Sequence, residues 1–163
     1  MDASSDWSDD LGELRGFAMA LVDDHHGVTR DALVERLIKQ AGFARIALTE
    51  VGSCDAKTRI FREFIALYRR YVRKNAFATE ALRADAAQDP TLAAVRGLPL
   101  EMREPLLLTA LSGFTHSEVA QTLDLPLPRL IDRLREARQR LADALDPAAK
   151  NSVARAPHLR LVK

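Results

Sequence analysis

Arg59, Arg62, Arg69 and Arg73 recur at steps of three, seven and four residues, a spacing that stacks side chains on one face of an α-helix. A row of guanidinium groups binds regularly spaced anions, and the phosphates of a nucleic acid are such a series. Farther along, Thr115 and Glu118 have the three-residue separation of a capping box, which marks a helix start. Arg129 and Arg133 follow four apart on what reads as a longer helix, where they can reach bases or phosphates. Asp132 and Glu136 share that side and dilute its attraction for DNA.

Other chemistry finds little support. His25 and His26 are adjacent, so on a helix they point about a hundred degrees apart and do not make the same-face pair a zinc site needs. His116 and His158 have no Cys or carboxylate cluster at ligand spacing. Cys54 is the single cysteine, and no base is identified that would activate its thiol. Neither a glycine-rich phosphate loop nor a nucleophile elbow is present. The sequence therefore predicts no catalytic residue, no metal and no cofactor, and a protein that is not an enzyme.

The elements that must position the arginines read as helices throughout. Leu11, Leu14, Phe17, Ala18, Leu21 and Val22 make the apolar stripe of a first helix behind Ser8, Asp9 and Asp10. Thr29 caps a second helix with Leu33, Val34, Leu37, Ile38 and Ala41 inward and Gly42 as its stop, and residues 42–54 read as a loop. A third helix starts near Asp55, its face of Ile60, Phe61, Phe64, Ile65, Tyr68 and Val72 set apart from the arginines, with Tyr68 and Tyr71 expected in the core. Residues 75–97 have a weak pattern and Pro90, which suits a partly helical or flexible linker. A helix carrying Leu106, Leu107, Ala110 and Leu111 then ends at Gly113, with Pro105 in its first turn or kinking it. A short helix from Thr115, a tight turn at Asp124 and Leu125, and a helix from Pro126 to about Leu145 complete the chain's pattern. The expected fold is all-α: helical domains at 8–74 and 98–146, a linker at 75–97 and a basic tail at 147–163. The second domain reads as a helix-turn-helix whose later helix enters the major groove.

A chain of 163 residues holds one ordinary domain or two small ones, which excludes a large multidomain enzyme. No apolar stretch approaches the roughly 20 residues of a membrane span, and the acidic, small-residue start lacks the order of a secretory signal, so a cytoplasmic protein with no membrane partner is expected. The net charge of +1 conceals segregation: residues 1–56 carry −6 and residues 57–74 carry +6. The tail adds four basic residues and no acidic one. Anionic partners at defined surfaces follow from this, and a basic protein facing the acidic N-terminal segment.

The segment Leu98, Pro99, Leu100, Arg103, Leu106 to Leu108, Gly113, Phe114, Glu118, Val119, Ala120, Leu123, Pro126, Arg133, Leu134, Ala137 and Arg138 resembles the C-terminal domain of bacterial RNA polymerase sigma factors of the extracytoplasmic-function group. Leu14, Phe17, Ala18 and Leu21, then Asp31, Leu33 and Val34, then the helix from Phe61 to Lys74, are similar to that family's N-terminal domain. The resemblance implies two helical domains and a linker, with core RNA polymerase and promoter DNA as partners. The first domain would dock on the polymerase clamp and open the minus-ten element, and the second would read the minus-thirty-five element. By position, Asp31, Leu33, Val34 and Glu35 would bind polymerase. Arg59, Arg62, Arg69, Arg73, Thr115, Arg129, Arg133 and Arg138 would bind DNA.

Several positions depart from that family. Ala32 follows Asp31 where a second acid is usual, and Arg36 replaces another acid. The tryptophan common at the start of the third helix is missing, with Arg59 near its place. Ile131 and Asp132 occupy positions often basic and small, and Asp124 stands where the turn usually has glycine, a change an aspartate can accommodate. The chain is thus also similar to the sigma-like domain of the alphaproteobacterial general-stress regulator, a decoy that binds an anti-sigma factor without reading promoters. That relative normally carries a receiver domain, for which this chain has no room. The sigma-factor reading is the favoured one, and an anti-sigma factor is a further candidate partner of either.

Overall fold

The computed structural model describes residues 3–23, 28–47, 55–75 and 89–146. Among the described residues the secondary structure is helical, with seven helices and no β-strand. They are α1 (Ala3–Leu21), α2 (Arg30–Ala47), α3 (Ala56–Lys74), α4 (Pro90–Arg96), α5 (Leu100–Ala110), α6 (His116–Leu123) and α7 (Leu127–Leu145).

Helices α1 to α3 bury the apolar positions read from the sequence: Leu14, Phe17, Ala18 and Leu21, then Leu33, Val34, Leu37 and Ala41, then Ile60, Phe61, Phe64, Ile65 and Tyr68. Phe17 lies 5.3 Å from Phe61 and edge-on to Phe64, which fixes α1 across α3. On the C-terminal side α5 is the central element. Met102 to Leu108 are all buried, so the helix is covered on every side, with α1 and α7 packed against it.

One core serves both ends of the chain. Val95, Leu107, Leu108, Phe114, Val119, Leu123, Leu130 and Leu134 join the same buried cluster as the side chains of α1 to α3. The contacts α1 with α5 and α3 with α6 carry that cluster across from one half to the other.

Local details differ from the expectations in two places, and the stretch expected as a partly helical or flexible linker contains the helix α4. Gly42 does not stop α2, which continues to Ala47, because an interior glycine costs only about 1 kcal/mol relative to alanine while Ala41 remains anchored in the core. The segment expected as loop at 42–54 is therefore partly helical, and Cys54 lies outside the described residues, as do His25, His26 and His158. Pro105 sits in the second turn of α5, beyond the position where a missing N–H is harmless, so the Glu101 carbonyl receives no helical bond there. Within the stretch expected as linker, α4 forms behind Asp89, whose carboxylate accepts from the Thr91 amide at 2.8 Å with Pro90 at the first helical position.

The start of α6 is the best-defined cap. The Thr115 hydroxyl oxygen accepts from the Glu118 amide, while the Thr115 amide donates to the Glu118 carboxylate at 2.7 Å. These bonds hold the Glu118 carboxyl below its ordinary value. Thr115→Ala is expected to lower stability by about 1 kcal/mol in urea denaturation. Glu118→Gln should give a smaller loss at neutral pH, since a glutamine oxygen can still accept from the Thr115 amide, and that loss should fade as pH falls through the carboxylate range, because Glu118 itself then protonates in the parent.

Candidate nucleic-acid interface and the contact between the halves

Helix α3 has two working faces. Its phenylalanines enter the core, and the neighbouring stripe of arginines is turned in part toward the C-terminal half. Arg62 donates to the main-chain carbonyl of Gln121 on α6. Arg69 forms a two-pronged pair with Glu104 on α5, its Nε donating to Oε1 at 2.8 Å and its Nη2 to Oε2. The Glu104 side chain has no solvent exposure, while Arg69 keeps 38%. Burial pushes the Glu104 carboxyl above the ordinary carboxylate range, and the Arg69 fork pulls in the opposite direction. The same hydrogen bond holds the Arg69 guanidinium more firmly protonated. Arg59 is half-buried on this helix and Arg73 is exposed near its end.

Below these, Phe114 inserts against the N-terminal half. Gly113 at φ +65° turns the chain after α5, a conformation a side chain would strain, and aims Phe114 edge-on at Phe61 with ring centres 5.0 Å apart. Lys57 covers the other side, its ammonium 5.1 Å from the Phe114 ring centre. That ammonium also donates to the Ser112 carbonyl at 3.1 Å and pairs with Glu13 of α1.

Arg103 closes the third contact and is the bulkiest fully buried side chain described. Its Nη1 donates to the Leu21 carbonyl at 3.0 Å and to Asp23 Oδ1 at 2.7 Å. Its Nη2 donates to the Arg96 and Leu98 carbonyls at 2.7 and 3.1 Å. One guanidinium thus serves the C-terminal ends of α1 and α4, where carbonyls lack helical partners and the helix dipole is negative. The Asp23 amide in turn donates to the Tyr68 hydroxyl at 3.2 Å. Burial first, and the nearby Asp23 charge second, push the Tyr68 phenol up to about 12.

The sequence-expected DNA contacts on the C-terminal half lie along a short helix, a turn and a longer helix. Asp124 occupies the left-handed conformation at φ 53°, ψ 53°, so the turn expected at this residue is made by an aspartate. Arg129 and Arg138 are exposed on α7, and Arg138 lines a shallow groove with His116, Ile131 and Arg135. Arg133 is half-buried and faces Glu101 at 3.3 Å. Thr115 is exposed but engaged in its cap.

On α2, Asp31 is exposed, Glu35 pairs with Arg15 at 2.8 Å, and the Arg36 guanidinium lies 5.5 Å from the Tyr71 ring centre. Leu33 and Val34, expected by resemblance to bind polymerase, are 0% and 1% exposed and packed in the core, and of that set Asp31 and Glu35 reach solvent. Sequence reading did not assign Lys57, Asp23 and Glu104 to any site and treated Arg103 only as part of a pattern. A signal was available, since Arg103 and Glu104 are charges inside an otherwise apolar run, and such charges need buried partners.

No protein-family model matches the chain, and no curated protein does. Solved structures do. The sigma factor RpoE of Bartonella quintana, determined in complex with the anti-sigma factor NepR, superimposes with a TM-score of 0.62 at 22% identity over 87% of this chain and 95% of that one. The fold is that of an extracytoplasmic-function sigma factor. The anti-anti-sigma factor PhyR of Bartonella quintana, also complexed with NepR, matches at TM-score 0.58 and 15% identity over 88% of this chain. The response regulator PhyR of Brucella abortus matches at 0.51 and 21% over 84%. This sigma-like chain spans 51% and 43% of those two regulators. No described helix is long and apolar enough to cross a membrane, and among the described residues no group of three or more His, Cys, Asp or Glu could hold a metal.

Two measurements check the buried network. Arg103→Ala is expected to cost about 3–5 kcal/mol in urea denaturation, because it strands Asp23 and the helix-end carbonyls. In an ultraviolet titration Tyr68 should ionise only near pH 12, a late step that Tyr68→Phe removes. Since the folded protein holds that proton more tightly than the unfolded chain, stability should fall as pH rises from 10 toward 12.

Proposed function

We propose that this protein is a transcription initiation factor that binds core RNA polymerase and directs it to promoter DNA. The observation that carries this reading is the arrangement of α6, the Asp124 turn and α7: a short capped helix anchored by Val119 and Leu123, then a helix presenting Arg129 and Arg138 to solvent. This layout supports a helix-turn-helix reading, in which the second helix would enter the major groove. The α3 arginines Arg59, Arg62, Arg69 and Arg73 would follow phosphates at a second promoter element, and Asp31 and Glu35 would meet basic residues of the polymerase. The RpoE neighbour, itself named a sigma factor and spanned over 95% of its length, supports the same reading.

Promoter use requires this fold to open. The minus-ten and minus-thirty-five elements are about 25 base pairs apart, or about 85 Å of duplex. A body of this length packed around one core has a radius of gyration of about 15 Å, so its halves cannot touch both elements at once. The closed arrangement is therefore a form that waits, or is held, before promoter binding.

A second reading is a sigma-like decoy that binds an anti-sigma factor without reading promoters. It is favoured by Leu127 and Ile131, which are 44% and 39% exposed on the first turns of α7 beside Asp132, where DNA contact would call for basic or small groups. An anti-sigma factor is also the partner named for the RpoE neighbour and for one of the two regulators.

Co-elution with sigma-free core polymerase from the same source, followed by transcription of genomic DNA, separates the two. Stable association with new transcripts is expected, and Arg129→Ala and Arg138→Ala should each weaken promoter binding while leaving polymerase association intact. Tight binding of an anti-sigma protein with neither polymerase association nor transcripts would establish the decoy instead.

A further inference from the structure

We propose that Glu104 is an internal phosphate mimic: its carboxylate occupies Arg69 in the closed form, so the closed form and a DNA-bound α3 compete for the same guanidinium. The inference rests on the promoter-binding reading of α3 and names its regulation.

The geometry is that of an arginine bound to a phosphate. Two parallel N–H donors of Arg69, Nε and Nη2, meet two oxygens of one anion, the arrangement by which arginine also grips a phosphodiester. Glu104 is presented from the centre of α5, in the C-terminal half, to an arginine on α3, in the N-terminal half. Its surroundings are cationic as well, with Arg133 and Arg103 acting on the carboxylate after Arg69. Arg69, Glu104, Glu101 and Arg133 border one open groove between α3, α5 and the turn before α7. Arg69 keeps enough exposure in that groove for an incoming anion to reach it.

The pair is suited to exchange rather than to permanent closure. Glu104 has lost its water entirely, and taking a carboxylate out of water offsets much of what the ion pair contributes. If a DNA phosphate takes Arg69 while the halves stay closed, Glu104 is left buried without its main partner. Separation of the halves returns Glu104 to water and removes that penalty. DNA on Arg69 therefore favours the open form, and closure expels DNA from Arg69. Arg62 reinforces the competition, because its donor is spent on the Gln121 carbonyl in the closed form.

The test uses the full chain with Cys54→Ser and spin labels at exposed positions 40 and 142, on α2 and α7, to follow separation of the halves. The nucleic-acid probe is a fluorescein-labelled, mixed-sequence duplex of about 20 base pairs at low salt. Glu104→Gln and Arg69→Ala both break the pair, so both should lengthen the label distance. Only the first keeps the phosphate ligand. Glu104→Gln is expected to bind the duplex about tenfold more tightly than the parent, and Arg69→Ala no more tightly than the parent. Glu104→Ala provides a second release should the glutamine amide still hold Arg69, and circular dichroism verifies that each variant is folded. Equal gains in Glu104→Gln and Arg69→Ala would overturn the inference, since opening alone would explain them. Opened Glu104 variants that bind no better than a DNA-binding parent would overturn it while leaving the proposed function standing. Failure of every variant, open or closed, to bind DNA would overturn both. Glu104→Ala that stays closed with unchanged affinity would also refute the competition.

Discussion

A guanidinium buried between two helix bundles persists only where acceptors offset the water it has lost, and Arg103 finds them for both terminal nitrogens by collecting the ends of helices, while its Nε is buried without a partner. Its two terminal nitrogens reach carbonyls at the ends of α1 and α4 and the Asp23 carboxylate, so the end of α1, about 80 positions away, and the nearby end of α4 are fixed to one planar group. The rest of the closed structure is arranged around that constraint. Asp23 is positioned by the hydrogen bond its amide donates to the Tyr68 hydroxyl of α3, and Phe114, in the loop after α5, packs on Phe61 of the same helix. Replacing such a group by an apolar one of similar size is often neutral in other settings, but here its partners would remain buried and unpaired.

The same constraint explains why the arginine face of α3 has a double character. Arg62 and Arg69 lie on the stripe next to the core face, so when the C-terminal half packs on Phe61 they are the first polar groups it meets. The chain satisfies them internally with a main-chain carbonyl and with Glu104. A surface rich in positive charge and suited to an external anion is thereby partly neutralised by the protein itself. This is a physical route by which a small protein with a basic helix face can be kept from indiscriminate attraction to nucleic acid, which is sequence-independent and long-ranged at low salt.

The legible features were those set by local periodicity. The core faces of α1, α2 and α3, the capping box at Thr115 and the left-handed turn at Asp124 follow from side-chain spacing and from which residues tolerate a given backbone conformation. The resemblance of Leu98 to Arg138 to a sigma factor pointed to the fold that superposition then gave. The contact between halves was not legible, because nothing in a helical pattern states which distant helix a charge will meet. Arg69 and Glu104 are 35 positions apart and Arg103 and Asp23 are 80 apart. Gly42 misled for the opposite reason: a local stop signal of about 1 kcal/mol was outweighed by the helix that continues through it.

A double-mutant cycle on Phe61 and Phe114 tests most directly whether the two halves share one core in solution. Each ring is replaced by leucine, singly and together, and the unfolding free energies are compared in urea. The account predicts a coupling of about 1 kcal/mol, the size expected of an edge-on aromatic pair in contact. Additive losses, with no coupling, would mean that the halves do not hold each other through this contact, and would contradict the closed structure as the resting form.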